Sequence, residues 1–428
     1  MGRPSAARRL VRGTLQAMRH GLLALLLTGC CATHAVPPNA KCPSEPSAPA
    51  APTPEAGQQN ALELAQDSPY RKNPALRAKL SQSPHKYFRA INSEFAIEVC
   101  KRFSRVRATL PIVNLHGDAH VEQLAITDEG AGLSDFDYSV SGPPVIDLVR
   151  FGTSLALAAK QRGWPSEPLV RAFLDAYATD PPPASDQPPS ALLRLRSSFR
   201  EDRGDFLNQA EKLMTTELPP RYASEARAGW QRYVALVLQL DPSRSADFFR
   251  VKRRGIPTNF GLGSATTARI LYRIEGPTSS PNDDVILEAK EMRSVPDNPC
   301  IEGRGGLPVR IILNATRLGA KADPFLAIVP RDASEDVDDP PWWIQSWWAH
   351  YAEIDIQRSL ESETELRELA SFAAAQLTLG HTGFLPAPYD RQLRVLLKDM
   401  LNEHRELILD AIHSLTQSTL DAYAKFKQ

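Results

Sequence analysis

The chain has 428 residues, with 50 basic and 50 acidic side chains, so its formal net charge is zero. Balanced charge argues against a nucleic-acid partner, because such binding needs an excess of Lys and Arg on one surface. The length allows one large domain or two small ones. With only 5 cysteines, the chain is not a disulfide-rich scaffold.

The N-terminal segment has the features of bacterial export. Residues 3–19 contain several arginines and no acid, and the apolar run Leu22–Leu27 follows. A basic head and an apolar run too short to span a bilayer are typical of a secretory signal. Leu27-Thr28-Gly29-Cys30 resembles a lipobox, which implies a lipoprotein signal peptide over residues 1–30 and a lipid on Cys30. An ordinary signal peptide with a chance cysteine is the alternative.

The segment after the signal is predicted to be a disordered tether. Residues 31–66 are rich in Ala, Pro, Ser and Thr, a composition that buries too little apolar surface to offset its conformational entropy. Cys31 stands where an inner-membrane retention signal usually carries Asp. The lipobox resemblance therefore implies an extracytoplasmic, lipid-anchored protein on the outer membrane, facing the periplasm.

Residues 67–428 are predicted to form an α+β domain. Short apolar strands are expected at 110–115, 123–127 and 132–135. Pro143 and Pro144 favour a helix that begins there and ends near Gly163. Alternating apolar residues predict further strands at 269–274 and 285–289, and spaced apolar residues predict helices at 366–379 and 392–426.

Residues suited to acid–base and metal chemistry lie in one stretch of the chain. His116-Gly117-Asp118-Ala119-His120 follows the first predicted strand, Asp135-Phe136-Asp137 follows the third, and Asp147 lies in the next helix. Two carboxylates that each follow a short apolar strand can converge on one pocket edge. One can accept a proton from a hydroxyl while the other holds a divalent cation.

A second group of residues is suited to phosphate binding. Gly261-Leu262-Gly263-Ser264 forms a glycine-rich bend in the predicted hairpin region 249–290, before the strand at 269–274, and Lys290 directly follows the strand at 285–289. A glycine bend lets backbone N–H groups approach phosphates, and a lysine on a strand can reach them with its charge. By itself, a glycine bend is more often a plain hairpin turn.

The acidic motifs at 116–147, followed by the glycine bend and Lys290, resemble in kind and order the motifs of the bacterial family known as domain of unknown function 2252. They also resemble the active-site stretch of aminoglycoside phosphotransferases and other protein-kinase-like enzymes. The resemblance extends over roughly residues 83–383, including Phe88-Arg89 near its start. It implies a two-lobe, protein-kinase-like fold in permuted order, with the catalytic loop before the glycine loop. The small lobe would span about 248–330, and the rest of 67–428 would form a mostly helical large lobe.

The same resemblance implies roles for individual residues. Asp118 corresponds to the catalytic base and Asp135 to the metal-binding acid, while Lys290 grips the donor phosphates beside a glycine loop containing Gly261, Gly263 and Ser264. Asp147 corresponds to the helix acid that braces the catalytic loop, and His116 supports that loop. The implied cofactors are Mg²⁺ or Mn²⁺ and a nucleoside triphosphate, and the implied acceptor is a small molecule or a component of the cell envelope.

Two departures from the pattern keep other functions open. Gln123 occupies the metal-ligand position where the pattern has Asn, and residues 307–318 contain no acid to pair with Lys290, Glu302 being the nearest candidate. One alternative is therefore a catalytically weak relative that binds a nucleotide or another ligand. The other is a metal-dependent hydrolase that uses His116, Asp118, His120 and Asp135 to hold Zn²⁺ or Mn²⁺.

Only two cysteines lie in the predicted domain, Cys100 and Cys300. In an oxidising compartment the two could pair. Two buried free thiols are the favoured interpretation of the sequence, and pairing is left open as the alternative.

The lipobox generates a direct prediction about location. Replacing Cys30 by Ala removes the thiol that would be acylated, so Cys30→Ala should release the protein from membranes or block its maturation. Fractionation of cells that express the wild type and the variant measures this. Unchanged membrane attachment of the variant would contradict the lipobox interpretation.

Overall fold

The computed structural model describes residues 60–179, 187–199, 202–214, 220–257, 268–292, 295, 298–301, 309–318, 323–329, 341–383 and 385–428. Several residues singled out in the sequence lie outside this part of the chain. They are Cys30, Gly261, Gly263, Ser264 and Glu302.

The apolar stretch after Pro143 and Pro144 forms helix α5 (Val145–Arg162), as predicted, and residues 145–159 are all buried. The helix ends at Gly163, whose φ of 74° lies in the left-handed region that glycine adopts without strain. A side chain at Gly152 would collide with Ile412, so glycine at this position permits the close approach of another helix.

Helices α4, α6, α11 and α12 pack around α5 in the largest hydrophobic core. The described helices are α1 (Pro69–Lys72), α2 (Pro74–Leu80), α3 (Pro84–Ala90), α4 (Asn92–Arg102), α5, α6 (Glu167–Ala178), α7 (Ser190–Ser197), α8 (Arg203–Leu213), α9 (Pro220–Leu240), α10 (Val309–Arg317), α11 (Glu363–Thr382) and α12 (Tyr389–Lys427). Within the described ranges, no helix is both long enough and apolar enough to cross a membrane.

Three antiparallel sheets are present in the described residues. Their strands are β1 (Val113–Leu115), β2 (Leu124–Thr127), β3 (Ala131–Leu133), β4 (Val140–Gly142), β5 (Val251–Gly255), β6 (Arg269–Ile274), β7 (Val285–Glu291), β8 (Ala327–Val329), β9 (Trp342–Ser346) and β10 (Tyr351–Glu353). Strands β1 and β4 form a pair, β10-β2-β3 form a small sheet, and β5-β6-β7-β9-β8 form a five-stranded sheet. Helices together with antiparallel sheets confirm the predicted α+β class.

Alternating residues of the five-stranded sheet pack against two different helices. Tyr272 and Leu287 share a core with Tyr233 of α9, whereas Leu271 and Ile286 share another with α8. Successive side chains of a strand point to opposite faces. Lys290 is therefore on the Ile286 face of β7, away from α9.

The folded region begins earlier than the sequence indicates. Leu62 and Leu64 are buried in the main core, and the Tyr87 hydroxyl donates to the Leu62 carbonyl and accepts from the Leu64 N–H. Residues 60–66, assigned to the tether because of their Ala/Pro-rich surroundings, are thus part of the folded unit. The five-stranded sheet also extends past residue 330, since β9 lies between β7 and β8.

A disulfide joins Cys100 of α4 to Cys300, 200 residues further along the chain. It ties the segment that follows β7 to the helices of the main core. Nearby, Arg107 Nη1 donates to the Pro299 carbonyl oxygen at 2.7 Å. Of the two states left open by the sequence, the structure has the paired one.

The disulfide should make a large contribution to stability. Closing a loop of this length restricts the unfolded chain, so the Cys100→Ser, Cys300→Ser double variant should lose roughly 2–5 kcal/mol of unfolding free energy. Urea unfolding with and without reductant measures the loss. If reductant destabilised the wild type and the double variant equally, the effect would not come from this bond.

Candidate functional site

The loop after β1 carries His116, Gly117 and Asp118, and all three are buried. Gly117 has φ of 78°, and a side chain there would collide with the Tyr138 carbonyl oxygen. Only glycine fits both constraints. The Gly117 carbonyl accepts from Asn92 Nδ2 at 3.0 Å, which fixes the turn from the other side.

Asp147, in the first turn of α5, holds this loop by its backbone. Its Oδ2 accepts from the His116 N–H at 2.7 Å and its Oδ1 accepts from the Gly117 N–H at 2.9 Å. His381 Nε2 of α11 lies 3.1 Å from Oδ2. The carboxylate is fully buried, so these bonds replace the hydration that it loses.

Asp118 is paired with a cation that the sequence analysis missed, Arg150 of α5. Arg150 Nη2 and Nε donate to Asp118 Oδ1 at 2.7 and 3.1 Å, and its guanidinium stacks 3.7 Å from the centre of the Phe88 ring. Among the described residues, no hydrogen bond reaches the second oxygen, Oδ2. Burial raises the pKa of Asp118, and Arg150 opposes that rise.

Asp135 follows β3 in a left-handed conformation with φ of 58°. Non-glycine residues seldom adopt this conformation, and those that do cluster at functional sites. His116 Nε2 donates to the Ser134 carbonyl at 3.0 Å, and the His116 ring packs against Phe136. The two acidic loops are therefore joined directly by His116.

Lys290 meets the acids of this loop. Its Nζ lies 3.1 Å from Asp135 Oδ1 and 3.4 Å from Asp137 Oδ2, and it also lies over the Trp343 ring. Burial alone would lower the pKa of Lys290, but the two carboxylates outweigh it and raise the pKa. Lys290 thus pairs with these carboxylates rather than with an acid on α10, the helix after β7.

Helix α10 contacts the same loop through an arginine. Arg310 Nη1 donates to the carbonyl oxygens of Asp137 and Ser139, and Asn314 Nδ2 donates to the Leu115 carbonyl. The helix therefore supports both acidic loops by their backbones. Its own sequence contains no acid.

Gln123 is buried and contacts Ser134, the residue before Asp135 in the chain. The Ser134 hydroxyl lies 3.0 Å from the Gln123 main-chain carbonyl and 3.1 Å from its Oε1. The carboxylates of Asp135 and Asp137 converge on the Lys290 ammonium, and the Gln123 amide oxygen contacts the neighbouring Ser134. All three side chains offer hard oxygen donors. Such donors fit Mg²⁺, which typically binds one or two carboxylates and completes its shell with water and substrate phosphates.

The metal-ligand set proposed for the hydrolase, which includes His116 and His120, is not assembled in the structure. His116 Nε2 bonds Ser134, and His116 Nδ1 accepts from the Asp118 N–H at 3.3 Å. His120 is fully buried, its ring lies edge-on to His85, and its nitrogens have no hydrogen-bond partner in the described ranges. The described residues also contain no cluster of three or more His, Cys, Asp or Glu side chains suited to a metal ion.

A second ion pair that the sequence analysis missed borders these loops. Arg89 Nη1 donates to Glu122 Oε2 at 3.1 Å, and His85 Nδ1 lies 3.5 Å from the same oxygen. Burial would raise the pKa of Glu122, but His85 and Arg89 lower it to about 2. In the sequence, a buried ion pair was indicated only by Arg150, because a charged residue inside an apolar helix needs a partner.

The Asp147 contacts predict a large loss of stability on truncation. Asp147→Ala leaves two buried N–H groups without acceptors, so the free energy of unfolding should fall by roughly 3 kcal/mol or more. Asp175→Asn, which removes a surface pair with Arg405, should cost less than about 1 kcal/mol. Equal, small losses in urea unfolding would contradict the bracing role.

Residues 72–218 match the family described as "Uncharacterized protein conserved in bacteria (DUF2252)". The matched segment contains Asp118, Asp135 and Asp147 and ends before Lys290. No significant match is found among curated proteins or among solved structures. The resemblance to this family that the motifs predicted is confirmed over residues 72–218.

Proposed function

We propose that this protein is a membrane-tethered, kinase-like phosphotransferase that acts on a small molecule or a component of the cell envelope. The observation that carries the proposal is the contact between Lys290 and Asp135, 155 residues apart in sequence. A lysine suited to donor phosphates and an acid suited to a metal meet at one point. The Asp118 loop is joined to that point through His116.

The proposed fold is a protein-kinase-like fold in permuted order. Its small lobe would be the five-stranded sheet with Lys290 on β7 and α10 after it, and its large lobe would be the helices around α5. The catalytic loop precedes the sheet in the chain. Lys290 on a strand, followed by a helix that supports the acidic loops, is the arrangement on which this proposal rests.

Asp118 is the proposed general base. Its Oδ1 is occupied by Arg150, which leaves Oδ2 for an acceptor hydroxyl. In the transfer, the hydroxyl proton passes to Asp118 and the hydroxyl oxygen bonds to the terminal phosphorus of the donor. The bond from that phosphorus to the diphosphate oxygen breaks, so the products are a phosphate ester and a nucleoside diphosphate.

Asp135, Asp137 and Gln123 are the residues that would hold a divalent cation. Mg²⁺ or Mn²⁺ in that position would neutralise charge on the donor phosphates. Lys290, buried and held between the two carboxylates, would direct its ammonium at the same phosphates. The glycine bend containing Gly261, Gly263 and Ser264 is proposed to approach them through its backbone N–H groups.

A nucleotide-binding protein without turnover is the second candidate, and Gln123 favours it. Gln is one methylene longer than the Asn that the kinase-like pattern has, and its amide oxygen lies near the Ser134 hydroxyl. An amide oxygen displaced in this way would weaken the binding of a second metal ion, while binding of the phosphate donor would remain intact. The hydrolase is not favoured, because both His116 nitrogens are engaged in the loops.

We propose that the protein acts outside the cytoplasm, anchored by a lipid on Cys30 to the outer membrane. The lipobox supports the anchor. The Cys100–Cys300 disulfide supports an oxidising compartment, since disulfides are rare in proteins of the reducing cytosol.

Substitutions should separate the proposed roles. Lys290→Ala should weaken nucleotide binding with or without metal, and Asp135→Asn should weaken only the metal-dependent part. Asp118→Asn should spare binding and abolish turnover, because it removes the proton acceptor. Gln123→Asn should maintain or raise turnover.

Thermal-shift titration of the four ribonucleoside triphosphates, with Mg²⁺, Mn²⁺ or EDTA, measures binding, because a ligand that binds the native state raises its Tm. Turnover is measured as diphosphate release. Absence of any nucleotide-dependent shift in the wild type would refute the donor site. Binding without turnover in both the wild type and Gln123→Asn would favour the binding-only protein.

A further inference from the structure

Arg89, at the end of α3, is a second cation beside the acidic loops. Its side chain is 21% exposed, unlike that of Arg150, which is 1% exposed and committed to Asp118. Burial raises the pKa of Asp118 and of Glu353 of β10, and the charge of Arg89 opposes both rises. Its Nη1 donates to Glu122, the residue before the proposed metal ligand Gln123, so Arg89 lies beside the loop that carries Asp118.

The position of Arg89 is held at both ends. At the guanidinium, Nη1 donates to Glu122 Oε2 at 3.1 Å, and the other Glu122 oxygen lies 3.5 Å from the Ile356 N–H. At the backbone, the preceding carbonyl, that of Phe88, accepts from Arg150 Nη2 at 3.2 Å. The same Nη2 of Arg150 also donates to Asp118. Arg150 therefore supports both the backbone before Arg89 and the proposed base.

Only part of the guanidinium is used by these contacts. Among the described residues, no hydrogen bond is made by Arg89 Nε or Nη2, and neither atom is among the unpaired buried ones. A planar guanidinium with donors left over is suited to phosphate oxygens, which it can bind with two parallel hydrogen bonds.

The charges around the loops give a reason for such a group. Asp118 is neutralised by Arg150, but Asp135, Asp137 and Glu353 would repel the oxygens of a polyphosphate. Lys290 and a bound divalent cation would offset part of that repulsion. Arg89, a further cation beside the loops, would offset more of it.

We infer that Arg89 binds the transferred phosphoryl group and stabilises the charge that it carries during transfer. This inference rests on the proposed phosphotransferase function and adds a catalytic residue to it. In phosphoryl transfer, charge spreads over the three equatorial oxygens, and an arginine aimed at them acts mainly in the transition state. The competing view is that Arg89 only pairs with Glu122 to support the structure.

The test compares ground-state and transition-state ligands. Isothermal titration with MgADP measures the first, and MgADP with aluminium fluoride, which mimics a planar phosphoryl group, measures the second. Arg89→Ala should leave the Kd for MgADP within about twofold and weaken the fluoroaluminate complex by about 100-fold or more. Lys290→Ala should weaken both complexes.

Two further variants complete the experiment. Arg89→Lys keeps the charge but loses the planar guanidinium with its two parallel donors, so it should recover only part of the fluoroaluminate affinity. It also serves as the test variant if Arg89→Ala does not fold. Arg405→Ala removes the surface pair between Arg405 of α12 and Asp175 of α6, and this variant should bind both ligands like the wild type.

The outcomes separate the two proposals. If the wild type binds MgADP and the fluoroaluminate complex but Arg89→Ala and Arg89→Lys do so equally well, the role of Arg89 is overturned and the phosphotransferase stands. Equal weakening of both complexes would likewise overturn a role specific to transfer. If the wild type binds neither ligand, the phosphotransferase proposal fails, and the role of Arg89 fails with it.

Discussion

The buried carboxylate of Asp147 is the contact on which the candidate site depends. It accepts from the His116 and Gly117 N–H groups, so α5 and the loop after β1 are held as one unit. Without this acceptor, two buried donors would be unpaired. The direction of Asp118 follows from the loop, and the position of Ser134 follows from the His116 ring. His381 links the same carboxylate to α11, so the two main helices share the support.

Around that contact, buried charge is organised in pairs. Asp118 meets Arg150, Glu122 meets Arg89, and Lys290 meets both Asp135 and Asp137. A lone buried charge is unfavourable, whereas a paired and hydrogen-bonded one is tolerated. The pairs are not equivalent, because Arg150 is sealed in the core while Asp135 and Arg89 are partly exposed. A ligand can therefore meet the exposed groups without disturbing the buried pair that orients Asp118.

The five-stranded sheet and the helical core are connected by contacts next to the site as well as by the contacts of Lys290 within it. Arg310 and Asn314 of α10 bind carbonyls of the acidic loops, and the Cys100–Cys300 disulfide ties the segment before α10 to α4. These links hold the chain after Lys290 at a fixed place relative to Asp135. Protein kinases use an acid on a helix to hold the lysine, and under the proposed kinase-like fold α10 would be that helix. Here the helix supports the loops, and the loops hold the lysine.

Local patterns were enough to predict the α+β class, helix α5 and the acidic motifs, because helix and strand periodicity and turn chemistry are properties of neighbouring residues. They were not enough to place residues 60–66 in the core or β9 in the sheet. Nor did they identify Arg150 as the partner of Asp118, or Asp135 and Asp137 as the partners of Lys290. Asp118 and Arg150 are 32 residues apart in the sequence, and Lys290 is 155 residues from Asp135 and 153 from Asp137. Among 50 basic and 50 acidic side chains, only the packing of helices and sheets decides which charges meet, because charge attraction by itself does not select a partner across such distances.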